Sequence, residues 1–142
     1  MVKTRLNLNE LETGHEIPPL QVKLDAQQYR KYNRLIKEIN PIHFNKKYAQ
    51  KLGYDDIVVA GNFLFTYIPR WIIDWTGAVD ILKKIDVKFK NPAYVDDEII
   101  HQGTVDYVKE QENEIQVTCS YEVRKLTGEL TSMGSIELAS IY

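Results

Sequence analysis

A strict alternation of apolar and polar residues near the C-terminus is the clearest pattern in the chain. Every second residue is apolar over this stretch, namely Ile115, Val117, Cys119, Tyr121 and Val123. The residues between them are polar, which is typical of an antiparallel strand with one face in water. Thr127-Gly128-Glu129 predicts a turn into a last strand over residues 130–141, so that the two strands form a hairpin.

Three earlier segments also predict strands. Residues 20–24 alternate and follow two consecutive prolines, which cannot continue a helix or a central strand. Residues 81–89 alternate and end before an Asn-Pro pair. Residues 99–109 form a further strand, on which the alternation predicts Val105 and Tyr107 on one face.

Helical spacing dominates the first half of the chain. A first helix begins after Asp25, which can pair with Gln28 in a capping box, and it ends near Glu38. Its predicted apolar face consists of Tyr29, Tyr32, Leu35 and Ile36. A short second helix follows over residues 46–52, with Asn45 as its cap.

Residues 62–75 are apolar nearly all round, which predicts a central helix surrounded by other structure. Asn62, Arg70 and Asp74 interrupt this stretch and make it a poor candidate for a bilayer span. The four-residue spacing of its large aromatic side chains favours core packing over a binding stripe; these side chains are Tyr67, Trp71 and Trp75. Early helices and late antiparallel strands predict a single α+β domain over residues 1–142, with residues 1–12 as an N-terminal arm.

Composition and charge narrow the function classes. Eighteen basic and twenty acidic side chains give a formal net charge of −2, so no global positive field is available to hold a nucleic acid. Residues 1–10 lack the apolar stretch of a secretory signal. The single cysteine, Cys119, fits a reducing compartment and a role as a small buried residue on a strand. We therefore predict a cytoplasmic protein that binds neither nucleic acid nor a membrane.

The segment from Glu38 to Asn45 is the most informative part of the chain for chemistry. A carboxylate at Glu38 and an imidazole at His43 lie on either side of Pro41, which stiffens the turn between them. Adding water to a carbon–carbon double bond beside a thioester needs one group for the proton of water and another for the carbon-bound proton. Both side chains are suitable, and a purely structural role in the turn is the alternative.

This segment resembles the motif of MaoC-type (R)-specific enoyl-thioester hydratases and 3-hydroxyacyl-thioester dehydratases, Asp-x-Asn-Pro-x-His-x-Asp. Asn40, Pro41 and His43 match it directly. Val59-Ala60-Gly61-Asn62 then occupies the place of the family's Val-His-Gly-Met without a gap. The resemblance continues through Val87-Lys88-Phe89-Lys90-Asn91-Pro92 and covers the chain from about residue 13 to its end.

Four positions depart from the family pattern. Glu38 stands in place of the motif's first aspartate and is one methylene longer. Asn45 replaces the second aspartate, where asparagine is also a good helix cap. Ala60 and Asn62 replace the histidine and methionine on either side of Gly61.

The resemblance implies a hot-dog fold, in which a bent antiparallel sheet wraps a long central helix and two domains pair around the substrate. It implies that Gly61 N–H polarises the thioester carbonyl while Glu38 and His43 hold the water and move protons. It also implies substrate-binding positions, which are Asn40, Ala60 and Asn62. The expected substrate is an acyl-coenzyme A or acyl-carrier-protein thioester, with no cofactor, and the expected partner is a second copy or a related hot-dog subunit.

Two other functions remain open from the sequence. A non-catalytic hot-dog subunit could bind the acyl chain or stabilise an active partner, and a hot-dog thioesterase would use the same fold.

His15 and His101 have no cysteine or second histidine at ligand spacing, so no metal site is predicted. The lysines at positions 83, 84, 88 and 90 form either a solvated strand face or a patch for phosphates or an acidic carrier.

Overall fold

The computed structural model describes residues 5–141 and contains a five-stranded antiparallel sheet in the order β1-β3-β4-β5-β2. The strands are β1 (Glu16–Lys23), β2 (Leu82–Phe89), β3 (Glu98–Gln111), β4 (Glu114–Lys125) and β5 (Leu130–Ile141). Helices in the first half and a sheet formed mainly by the second half confirm the predicted α+β class. The predicted N-terminal arm is described from Arg5 onward, and residues 1–4 and 142 lie outside the described residues.

Four helices and two short 3₁₀ turns complete the fold. The helices are α1 (Ala26–Ile36), α2 (Lys46–Lys51), α3 (Gly61–Phe65) and α4 (Tyr67–Thr76), and the turns are Leu8–Glu10 and Pro41–His43. The predicted central helix is thus divided at Thr66. Pro69 explains the division, because it has no N–H to donate to the carbonyl of Phe65 four residues earlier. Within residues 5–141 no helix is long and apolar enough to cross a bilayer.

Helix α4 forms the centre of the core. Tyr67, Trp71 and Trp75 are 7%, 3% and 7% exposed, which confirms their predicted packing role. Ile72 lies fully buried on the same helix. The indole of Trp71 donates a hydrogen bond of 2.6 Å to the carbonyl of Pro18, so the helix is tied to strand β1 at the sheet edge.

Strand β4 has the alternating burial that its sequence predicted, and it pairs with β3 on one side and β5 on the other. Cys119 lies on its inner face with no exposed surface, which confirms the predicted structural role. Burial raises the pKa of the Cys119 thiol to about 12, so the side chain is an apolar core residue and not a thiolate nucleophile.

Two strand predictions were wrong in detail. The pairing of β3 with β4 shifts between Val105 and Tyr107, which leaves Asp106 as an extra residue in the manner of a β-bulge. Val105 is therefore buried while Tyr107 is 55% exposed, on opposite faces. Strand β1 begins at Glu16, earlier than predicted, because an edge strand tolerates prolines whose missing N–H groups have no ladder partner to lose.

The predicted apolar face of α1 was also partly wrong. Its buried residues are Tyr29 and Asn33, while Leu35 is 83% and Ile36 is 41% exposed. Six residues of helix turn by about 600°, so Leu35 points well away from the side on which Tyr29 lies. The helix ends at Ile36 because Lys37 adopts the left-handed conformation, with φ of 54°.

Candidate active site

The end of helix α1 positions Glu38. Lys37 takes a left-handed conformation, and the N–H of Glu38 then donates to the carbonyl of Asn33 at 3.0 Å, which closes the helix as a Schellman motif does. A non-glycine residue in this conformation has a steric cost, so surrounding contacts must hold the turn in place. The Glu38 side chain therefore emerges at a defined point beyond the helix end.

The Glu38 carboxylate is held by the backbone that follows it. Its Oε1 accepts hydrogen bonds from the N–H groups of Ile39 at 3.1 Å and Asn40 at 3.0 Å. The other oxygen, Oε2, has no hydrogen-bond partner within residues 5–141. The carboxylate thus stabilises the turn through the hydrogen bonds of one oxygen and leaves the second oxygen free for another ligand.

His43 ends the 3₁₀ turn over Pro41–His43, which Asn40 caps by accepting from the N–H of Ile42 at 3.3 Å. The ring Nδ1 lies 2.8 Å from the carbonyl oxygen of Val58. A carbonyl oxygen can only accept, so Nδ1 carries the proton and Nε2 carries the lone pair in the neutral ring. Since Nε2 has no hydrogen-bond partner in the described part of the chain, the ring is oriented with a basic nitrogen available.

Asn33 links Glu38 and His43 from inside the protein. Its carbonyl accepts from Glu38 N–H, and its side-chain Nδ2 donates to the carbonyl of His43 at 2.9 Å. Asn33 is only 8% exposed, and its Oδ1 is the one buried side-chain nitrogen or oxygen without a hydrogen-bond partner among residues 5–141. One buried residue therefore hydrogen-bonds to the backbone at both ends of the motif.

Tyr29 connects the same turn to the start of helix α3. Its hydroxyl donates to the Val58 carbonyl at 3.3 Å, the oxygen that His43 also contacts, and accepts from the N–H of Ala60 at 2.8 Å. Burial raises the pKa of Tyr29, and the charge of Glu38 raises it further. The hydroxyl stays protonated and holds the segment before Gly61 in a fixed position.

Gly61 is the first residue of α3, and no side chain caps this helix. Its N–H and that of Asn62 therefore have no acceptor inside the helix, and they point out of its N-terminal end. A Cβ atom at Gly61 would lie 2.9 Å from Cε2 of Phe89, so glycine permits the close approach of this ring. These two backbone donors are the part of the site that could bind a carbonyl oxygen.

The three predicted substrate-binding residues have different surroundings. Asn40 uses its side chain to cap the turn, Ala60 is 3% exposed, and Asn62 is exposed at the start of α3. Four open grooves on the described surface are lined by other residues, and Glu38, His43 and Gly61 line none of the four. A substrate role for Asn40, Ala60 and Asn62 stays a prediction.

Two hydrogen bonds join the His43 end of the turn to Val58, three residues before helix α3. The N–H of Val58 donates to the carbonyl of Ile42 at 3.0 Å, in addition to the His43 contact. Sequence reasoning missed Asn33 and Tyr29 as parts of the site. A polar asparagine four residues after a tyrosine on a buried helix face was the available signal. No group of three or more His, Cys, Asp or Glu side chains in residues 5–141 is placed to hold a metal ion.

The chain matches the family model of the MaoC like domain over residues 10–126. Because this match covers most of its length, the chain belongs to the MaoC-like dehydratase family. A mitochondrial 3-hydroxyacyl-acyl-carrier-protein dehydratase of Solanum lycopersicum is 29% identical over 104 residues, which are 72% of this chain and 62% of that protein. The chain thus spans less than two thirds of the length of the curated relatives it matches.

Solved structures confirm the hot-dog fold. The (R)-hydratase from A. caviae involved in PHA biosynthesis superimposes with a TM-score of 0.79 at 19% identity, covering 94% of this chain and 98% of that one. The C-terminally truncated HadBC (3R-hydroxyacyl-ACP dehydratase) complex from Mycobacterium tuberculosis gives a TM-score of 0.73 at 21% identity, covering 90% and 96%. At these identities the likeness establishes the fold alone.

Proposed function

We propose that this chain adds water to the double bond of an enoyl thioester, or removes it from the (R)-3-hydroxyacyl thioester. The observation that carries the proposal is the orientation of His43, whose Nδ1 is held by the Val58 carbonyl so that Nε2 is left as a base. Membership of the MaoC-like family and the similarity to a 3-hydroxyacyl-acyl-carrier-protein dehydratase support the same reaction.

In the proposed reaction the thioester carbonyl oxygen accepts from Gly61 N–H at the uncapped start of α3. This hydrogen bond draws electrons from the double bond and makes its β-carbon, the one farther from the carbonyl, electrophilic. Water adds its oxygen to that carbon while one of its protons passes to a base, and the adjacent carbon receives a proton. Glu38 and His43 hold the water and carry these protons, which is a general acid–base role.

The hydrogen bonds around the two side chains support these roles. Each group is anchored by backbone through one atom, Oε1 of Glu38 and Nδ1 of His43, and each has a second atom free of described partners. The buried Asn33 leaves its own Oδ1 unpaired while it donates to His43, at a cost in stability. Local costs of this kind are expected at functional sites, where geometry matters more than stability.

The substrate and the assembly are part of the proposal. We expect an acyl-coenzyme A or acyl-carrier-protein thioester that contacts Asn40, Ala60 and Asn62 as it reaches Gly61. We also expect a second hot-dog subunit, identical or related, to complete the acyl channel, since β2 is an open edge of the sheet and the similar HadBC dehydratase is a complex. A single-domain organisation and a cytoplasmic location stay predictions.

Hydration of crotonyl-coenzyme A tests the proposed function. The purified chain, alone and mixed with a related subunit encoded by a neighbouring gene, is expected to consume the enoyl absorbance and to yield (R)-3-hydroxybutyryl-coenzyme A. Glu38→Asp restores the acid of the family motif and should keep or raise the rate if the Glu38 position contributes through its carboxylate. If the unmutated chain and the Glu38→Asp variant are both inactive, alone and with the partner, the proposed hydratase activity is refuted.

A non-catalytic subunit is the alternative, and one observation favours it. Oε1 of Glu38 and Nδ1 of His43 both make hydrogen bonds that hold the turn, so each residue has a structural role that does not depend on catalysis. Such a subunit would bind a saturated acyl thioester or raise the activity of its partner without any rate of its own. That combination of results would support the alternative.

A further inference from the structure

Positive charge is concentrated on the helices that flank the candidate site. Residues 26–54 contain seven Lys and Arg residues and one acidic residue, Glu38, although the whole chain has a net charge of −2. All seven cations are exposed. They form what we call the basic face, which consists of Arg30, Lys31, Arg34, Lys37, Lys46, Lys47 and Lys51.

The charges of the basic face are not balanced by the chain itself. Lys46 pairs with Asp56 at 3.8 Å, and the other six make no salt bridge within residues 5–141. Arg30 and Arg34 are one helical turn apart on the exposed side of α1, where like charges destabilise a helix. The arrangement therefore has a cost for the isolated chain, and an acidic partner would remove it.

Large apolar side chains lie exposed among these cations. Leu35 is 83%, Ile39 is 88% and Leu52 is 58% exposed, and Phe44 and Tyr48 are 46% and 40% exposed. Ile39 directly follows Glu38, so the exposed apolar surface reaches the turn of the candidate site. Protein–protein contacts commonly have an apolar centre and a polar rim, and a rim of one charge sign favours a partner of the opposite sign.

We propose that the basic face is the docking surface for an acidic carrier protein that delivers the acyl thioester to the site. This inference rests on the proposed function and names the form in which the substrate arrives. Helix α1 alone is roughly 16 Å long, and basic residues continue along α2, which suits an extended acidic surface. The few phosphates of a free coenzyme would leave Leu35 and Leu52 in water, whereas a protein can cover them.

A charge reversal on α1 tests the docking surface. The value of kcat/KM is measured for a crotonyl thioester on acyl carrier protein and on coenzyme A, with the unmutated chain and with Arg30→Glu/Arg34→Glu. We expect the carrier-protein value to fall by about tenfold or more, because charge attraction raises association rates by such factors. We expect the coenzyme A value to stay within about twofold, since neither arginine belongs to the acid–base site.

Lys23→Glu/Lys109→Glu is the matched control. It makes the same change in net charge at two exposed lysines near the ends of β1 and β3, away from the β2 edge, and neither lysine is in a salt bridge within the described residues. We expect this variant to keep both kcat/KM values. A selective loss in the control instead of the α1 variant, an equal loss with both substrates, or no loss at all would overturn the basic face as a carrier-protein site.

Direct binding separates this proposal from the proposed reaction. The dissociation constant for acyl carrier protein loaded with a butyryl chain, which cannot be hydrated, is expected to rise by about tenfold or more in Arg30→Glu/Arg34→Glu. If the chain has no hydratase activity but binds the loaded carrier protein in a way that depends on Arg30 and Arg34, the proposed reaction is refuted and the docking surface is supported. Binding to anionic lipid vesicles that requires Arg30 and Arg34, with unchanged affinity for the carrier protein, would assign the surface to a membrane and overturn the proposal.

Discussion

The hydroxyl of Tyr29 offers a sharp test of how the candidate site is supported, because Tyr29→Phe removes one atom and keeps the ring. This hydroxyl accepts from Ala60 N–H at 2.8 Å and donates to the Val58 carbonyl at 3.3 Å. Tyr29 is 1% and Ala60 is 3% exposed, so water cannot easily replace the lost atom. The Val58 carbonyl keeps its contact with His43, whereas Ala60 N–H loses the partner it has.

The expected loss follows from that unpaired donor. Leaving a buried N–H without an acceptor costs about 1–3 kcal/mol. For a chain of this length each kcal/mol lowers Tm by about 2–4 °C. We therefore expect Tyr29→Phe to lower the free energy of unfolding by about 1–3 kcal/mol, and to lower kcat because the segment before Gly61 is no longer fixed.

Urea unfolding at constant protein concentration is the appropriate assay, with the dependence on urea checked for an unchanged slope. Tyr32→Phe is the matched control, because this ring also packs against Phe63, at 4.9 Å between centroids, and its hydroxyl makes no hydrogen bond within residues 5–141. The control should change stability by less than about 0.5 kcal/mol. Equal stability of the two variants would refute the support assigned to the Tyr29 hydroxyl.

Two further predictions concern stability at low pH and assembly. His101 is 1% exposed and burial lowers its pKa, so below about pH 6.5 the unfolded chain binds a proton that the folded chain does not. The free energy of unfolding should therefore fall as the pH drops from 7 to 5, and it should fall less in the His101→Gln variant. Parallel pH curves for the two proteins would contradict this. Strand β2 is an open edge without proline, whereas β1 contains Pro18 and Pro19, so we expect subunits to join at β2. Sedimentation should show twice the mass of one chain, and a stable monomer at micromolar concentration would indicate a different partner.

Much of the sheet could be predicted because its signal is local. The alternation from Ile115 to Val123 depends on the two-residue period of a strand, which one buried face is enough to impose. The bulge at Asp106 could not be read in the same way, because it depends on how β3 registers with β4. The left-handed Lys37 was equally hidden, since this conformation is usually taken by glycine.

In the candidate site too, the residues of a local motif could be predicted, and those joined by long-range contacts could not. Glu38, His43 and Gly61 could be proposed from the sequence because motif residues keep their spacing along the chain. Asn33 and Tyr29 were missed because their hydrogen bonds join residues 10 to 31 positions apart. Such contacts exist only after α1 has packed against the segment before α3, and no local pattern specifies them.

The rate of crotonyl-thioester hydration by Glu38→Gln and His43→Ala tests the central claim most directly. Glu38→Gln keeps an oxygen that can accept from Ile39 and Asn40, and His43→Ala leaves the Val58 carbonyl with the Tyr29 hydroxyl. Stability should therefore change little, while kcat should fall by about 10²–10⁴-fold, the usual loss when a positioned proton-transfer group is removed. If instead Tm falls and the rate per folded molecule is unchanged, then Glu38 and His43 only stabilise the turn, and the acid–base assignment is wrong.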